Sequence, residues 1–81
     1  MKIRVRLFAS FREAAGSGTL SWDAPEGSTV SAVVDALRAQ YPGFGPAAEK
    51  ALLAVNQEYV GGTFTLHDGD ELALIPPVSG G

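Results

Sequence analysis

Cysteine is missing altogether from the 81 residues. Disulfides, thiolate metal ligands and cysteine nucleophiles are therefore excluded together, and any sulfur this chain handles has to come from outside. Histidine occurs once, as His67 beside Asp68, Asp70 and Glu71. That spacing fits neither a zinc nor a calcium loop, and a polar hairpin turn accounts for the same residues, so no metal is expected. Basic residues are also scarce, with six Lys and Arg against nine Asp and Glu and a net charge of −3. Too few and too scattered for a nucleic-acid footprint, three of them, Lys2, Arg4 and Arg6, share one strand face. They read as a solvated face opposite a buried one, and at most meet an acidic protein partner. No apolar run approaches membrane-spanning length, and Met1-Lys2-Ile3-Arg4-Val5 alternates where a signal peptide would be apolar; the expected location is cytoplasmic, with no membrane partner. Also absent are a phosphate-cradling Gly-x-x-x-x-Gly-Lys loop and a nucleophile with an adjacent base. The chain brings no catalytic machinery of its own.

What is present is an ordinary globular composition, 46% hydrophobic and 19% charged, enough for one small domain with a single core. Ile3, Val5 and Leu7 alternate with Lys2, Arg4 and Arg6, which predicts a first strand. Ser10-Phe11-Arg12-Glu13 has the spacing of a capping box, and Gly16 is placed to close the short helical turn it opens. Thr19-Leu20-Ser21-Trp22 alternates again, predicting a second strand that forms a hairpin with the first. From an N-cap at Ser28 or Thr29, Val30, Val33, Val34, Leu37 and Tyr41 fall on one helical stripe, and Pro42-Gly43 ends it. Pro46 then opens a shorter helix over Ala47-Ala48-Glu49-Lys50-Ala51. Leu52–Asn56 reads as a strand, Gln57-Glu58 as a tight turn, Tyr59-Val60 as a short return, and Glu71–Ile75 as the last strand after the turn at His67–Asp70. Trp22 and Tyr59 are read as core or rim residues, because the interleaved cations of a base-stacking surface are missing. The predicted class is α+β: a mixed sheet crossed on one face by one long helix.

The last six residues are organised differently. Pro76 and Pro77 cannot continue a central strand, so the body is assigned to 1–75 and an extended tail to 76–81. At roughly 3.1 Å per residue in polyproline geometry such a tail would project ~19 Å. The prolines stiffen its base, while Gly80 and Gly81 keep the tip slender enough for a slot that no larger residue enters. A carboxylate is a poor acyl donor, so chemistry at Gly81 needs activation, most simply as an acyl-adenylate made by an ATP-using partner. Attack by a sulfur nucleophile would then leave a thiocarboxylate.

Ala54-Val55-Asn56, Tyr59-Val60, Leu66 with Asp68-Gly69-Asp70-Glu71, and the block Leu74-Ile75-Pro76-Pro77-Val78-Ser79-Gly80-Gly81 resemble the small subunit of molybdopterin synthase, a ubiquitin-like β-grasp sulfur carrier. Leu7-Phe8-Ala9 with Arg12-Glu13 adds to the resemblance, which covers essentially the whole chain. It implies a β-grasp fold and a Gly81 that is adenylylated by an E1-like enzyme and then thiocarboxylated, with ATP consumed by that enzyme and no cofactor held permanently. Pro76, Pro77, Val78, Ser79 and Gly80 would carry the tip into the large synthase subunit. There it gives sulfur to cyclic pyranopterin monophosphate to form the molybdopterin dithiolene. The implied assembly is a heterotetramer of two small and two large subunits, and the isolated chain is a carrier, not an enzyme.

One departure from the family concerns docking. The last strand of the family often carries a bulky aromatic near Ile75, and here Leu74 and Ile75 are aliphatic. By alternation Leu72 and Leu74 face the helix while Ala73 and Ile75 face outward, which makes Ile75, with Phe8 on strand one, the candidate docking patch. The other reading places these two in a small apolar cluster under a loop. Three further readings are open: a carrier of similar build for thiamine thiazole, tRNA thiolation or cysteine synthesis; a ubiquitin-like modifier joined through Gly81 to lysines of other proteins; and a plain interaction module with an inert end.

Overall fold

The computed structural model describes residues 1–77. Alternation does organise the first strand, β1 (Lys2–Leu7), whose even residues are exposed and whose odd residues are buried. The chain then turns sharply: Ala9 takes a positive φ of 49°, and a short helix, α1 (Ala9–Ala15), begins with Phe8 as its N-cap. The capping box expected at Ser10 and Glu13 does not form, for the helix starts early enough to place Ser10 inside it and no side chain caps its N-terminus. Gly16 closes it as expected, at φ 76° with its N–H donating to the Arg12 carbonyl. Strand β2 (Thr19–Asp23) returns antiparallel to β1, pairing Val5 with Leu20 and Ile3 with Trp22.

The long helix is α2 (Val30–Gln40), N-capped by Thr29, whose side chain accepts from the Ala32 N–H at 3.2 Å. Its buried stripe is Val30, Val33, Val34 and Leu37, the i, i+3, i+4, i+7 pattern of a helix lying on a sheet. A 3-10 segment, Pro42–Lys50, follows and is broken at Gly45 (φ 59°). The shorter helix expected from Pro46 is the second half of this segment, wound more tightly than an α-helix. Phe44 is buried within it and packs on Phe11 of α1, with ring centroids 5.0 Å apart.

Strand β3 (Leu52–Val55) and the two-residue β4 (Glu58–Tyr59) form a hairpin. Its turn lies one residue earlier than expected, at Asn56 and Gln57, both at positive φ (51° and 73°). Two consecutive positive φ values match the twist of the strands they join, and asparagine accepts that geometry more readily than most residues. The last strand, β5 (Glu71–Ile75), enters the middle of the sheet, parallel to β1 and antiparallel to β3. The five strands run in the order β2-β1-β5-β3-β4, with the helices on one face. This is the expected β-grasp architecture, a mixed sheet wrapped around α2. The core consists of inward residues of β1, β3 and β5 against α2, Phe11 and Leu66, and among the described residues it holds no buried polar or charged side chain. No helix among those residues is long and apolar enough to cross a membrane.

Candidate docking face and tail

Register alone decides which side chains share the face that the helices leave open. On the covered face stand Ile3, Val5, Leu7, Leu72 and Leu74, none more than 2% exposed. Residues alternating with them point the other way. Arg6 pairs with Ala73, Ala73 with Ala54 and Ala54 with Tyr59, so these four form one row across β1, β5, β3 and β4. One step toward the tail, Ile75 pairs with Leu52, and Phe8 stands one residue beyond the Leu7–Leu74 pair.

The structure puts Phe8 and Ile75 at the same end of the open face, both half-buried. Phe8 is not on the first strand, as expected, but directly after it: the positive φ at Ala9 ends β1 there and bends the chain away. Neither residue belongs to the packed core or to the apolar side chains resting on it. Arg6 lies over the face of Phe8, its guanidinium carbon 5.3 Å from the ring centroid, within the range of a cation–π contact.

Sequence reasoning missed two further members of this patch. Tyr59, read as core or rim, is 74% exposed, and Leu52 is 46% exposed. Both stand on the open face by register, and the expected turn at Gln57-Glu58 concealed Tyr59's partner. A turn at Gln57-Glu58 pairs Tyr59 with Asn56, whereas the turn at Asn56-Gln57 places it opposite Ala54, two residues along the same outward side. Trp22 is half-buried against the core, as a rim residue should be.

Below the apolar rows the face becomes ionic. Glu71, 24% exposed, receives Arg4 and Arg6 at 3.8 Å each, and Lys2 meets Asp23 at 3.6 Å. Asn56 ties this end of the sheet together: its amide N–H donates to Asp70 Oδ1 and its side-chain oxygen accepts the Glu71 N–H, both at 3.0 Å. Asp70 also accepts from the His67 N–H at 2.8 Å, and Asp68 from the Lys2 N–H at 2.8 Å. Gly69, at φ 86°, makes the turn that brings these groups round. The polar residues of the His67–Asp70 turn thus spend their hydrogen bonds on the backbone and on Asn56, and no group of three potential metal ligands gathers among the described residues.

Strand β5 ends at Ile75, and Pro76 and Pro77 leave the sheet beside the apolar patch. Val78, Ser79, Gly80 and Gly81, the residues assigned to the tip, lie outside the described residues. A partner that grips the patch therefore stands where the chain departs from the sheet.

The model of the ThiS family matches residues 5–81. The chain belongs to the ThiS family. Among its relatives is the molybdopterin synthase sulfur carrier subunit of Arabidopsis thaliana, 38% identical over 81 residues, with all of this chain and 84% of the relative covered. Among solved structures, SAMP1 from Haloferax volcanii superposes with a TM-score of 0.83 at 34% identity, covering 100% of both chains. The complex of subunits 1 and 2 of the molybdopterin-converting factor from Helicobacter pylori contains a chain with TM-score 0.71 at 23% identity, again covering 100% of both; at that identity it shows the fold alone. This ThiS-family chain thus shares its whole length with both a sulfur carrier and a small archaeal modifier.

Proposed function

We propose that this ThiS-family chain is the sulfur carrier subunit of a molybdopterin synthase. The observation that carries the reading is full-length likeness to such a subunit in a chain whose open sheet face presents Phe8, Leu52, Tyr59 and Ile75 at the base of a segment ending Gly80-Gly81. The Gly81 carboxylate attacks the α-phosphorus of ATP on an E1-like enzyme, displacing pyrophosphate and forming an acyl-adenylate. The outer sulfur of a persulfide on the donor then displaces AMP, and a second thiol attacks the donor sulfur of the resulting S–S bond, forming a disulfide with the donor and releasing the thiocarboxylate. The large synthase subunit grips the apolar patch, and Pro76, Pro77, Val78, Ser79 and Gly80 lead the tip into its active site. There the sulfur passes to cyclic pyranopterin monophosphate, and water restores the carboxylate. The chain supplies the acyl end and the docking face, and its partners supply the catalysis. Two carriers and two large subunits make the working assembly.

Removing Gly81 tests this directly. Molybdopterin formation with the large subunit should vanish while the thermal transition of the body stays in place, since β5 ends at Ile75. Synthesis that survives the deletion would sink the reading. Intact-mass measurement after incubation with ATP, activating enzyme and a sulfur source should show the gain of one oxygen-for-sulfur exchange.

A second reading is favoured by the Haloferax volcanii relatives, which include small archaeal modifier protein 3 at 34% identity. In that role the same adenylate is attacked by a lysine amine and Gly81 ends in an isopeptide bond. Glycine remnants on lysines of other proteins after digestion would establish it, and the two roles share one activated end.

A further inference from the structure

Three of the six basic residues of this acidic chain, Lys2, Arg4 and Arg6, stand on the open face of a single strand. A groove of about 510 Å³ runs beside Lys2 and Arg4, between β2 and the His67–Asp70 turn, with Thr19 and Ser21 on one side and Lys2, Arg4 and Glu71 on the other; Arg6 stands outside it, over Phe8. It is distinct from the apolar rows of Ile75 and Tyr59. The counter-ions present leave much of its cationic capacity unused. Glu71 is shared between two guanidinium groups, each in a contact of 3.8 Å, longer than the ~2.7–2.9 Å of a charge-assisted hydrogen bond. The Lys2–Asp23 pair is 66% and 81% exposed and so weakly held.

We propose that this groove takes an extended acidic segment of a partner protein, with carboxylates at alternate positions. Side chains at i, i+2 and i+4 of a strand repeat every ~6.6 Å, the repeat of alternate side chains in any extended chain. An Asp/Glu-x-Asp/Glu segment laid along β1 therefore meets Lys2 and Arg4 in register. Each guanidinium offers a two-pronged donor edge that its contact with Glu71 leaves incompletely used. A nucleic acid needs a dense basic stripe, and the cations here, flanked by Glu71 and Asp23, are too few for that but enough for a short segment of two carboxylates. This proposal does not rest on sulfur chemistry at Gly81.

The test uses the whole chain, labelled with nitrogen-15 and titrated with the blocked peptide Glu-Thr-Glu-Thr-Glu. Amide shifts should concentrate at residues 2–6, 19–21 and 69–71, and the Gln-Thr-Gln-Thr-Gln analogue should produce none. Lys2→Ser and Arg4→Ser should each weaken binding about threefold, whereas Glu71→Gln, which frees both guanidinium groups, should tighten it by about the same factor. Arg12→Ser, on α1, should change nothing. Shifts spread over the surface, an undiminished affinity in the Lys2→Ser/Arg4→Ser double variant, or tighter binding of a short oligothymidylate to the same residues would overturn the proposal.

Discussion

The two faces of the sheet are built from the same strands and obey opposite rules. On the helix side Val5, Leu72 and Leu74 are wholly buried. On the other, their immediate neighbours include Arg4, 66% exposed, Arg6, 46% exposed, and a half-buried Ile75. Stability is concentrated on the first face, where every side chain is surrounded and any loss leaves a void. The second face adds little to the core and carries the apolar patch proposed for docking. A protein this small has one core to spend, so a large docking surface fits only on the face the helices leave open.

The sharpest way to break this comparison is to truncate one residue on each face. Leu72→Ala should lower unfolding free energy by about 2–5 kcal/mol, because it removes transfer energy and opens a cavity beneath α2; urea denaturation followed by circular dichroism measures it. Ile75→Ser and Tyr59→Ser should instead cost about 1 kcal/mol or less in the same assay, yet weaken binding to the large synthase subunit about tenfold or more, read by titration calorimetry. If Ile75→Ser proved as destabilising as Leu72→Ala, the division of labour between the faces would fail. A smaller effect sharpens it: Thr29→Ala removes the side-chain acceptor of the Ala32 N–H and should cost about 1 kcal/mol without touching partner affinity. Because Thr29 opens the helix on the covered side, any change in docking from that substitution would show that the faces are coupled.

Much of the covered face could be read from the sequence. The alternation of Ile3, Val5 and Leu7, the helical stripe from Val30 to Leu37 and the Thr29 cap are local patterns whose physical cause lies within a few residues. The misses have a common origin in competition between local signals and tertiary demands. Ser10 and Glu13 carry capping-box spacing, but the need to leave β1 at Phe8 starts α1 earlier and places Ser10 inside the helix. Pro42, Gly45 and Pro46 prevent a continuous α-helix, and the chain settles on a broken 3-10 path that buries Phe44. The turn at Asn56-Gln57 was hidden because Gln57 is a poor candidate for positive φ. Its one-residue shift moved Tyr59's partner from Asn56 to Ala54, two residues along the same face, and so left the row through Ala73 and Ala54 unread. Of the proposed docking patch, Ile75 followed from alternation on β5. Leu52 and Tyr59 needed the cross-strand register, which no short stretch of sequence contains.

The pairing of β1 with β5 carries one more consequence. Arg4 lies opposite Glu71, so the strands at the centre of the sheet come from distant parts of the chain, and loop closure has to precede the contacts that reward it. During synthesis, a nascent chain halted before Glu71 lacks its middle strand and has nothing to seat between β1 and β3. Ribosome-tethered chains cut at that point should be digested as readily as unfolded ones, while those extended through Ile75 and clear of the exit tunnel resist. Maturation is thereby ordered in time: no folded platform is available to any partner until translation has passed β5.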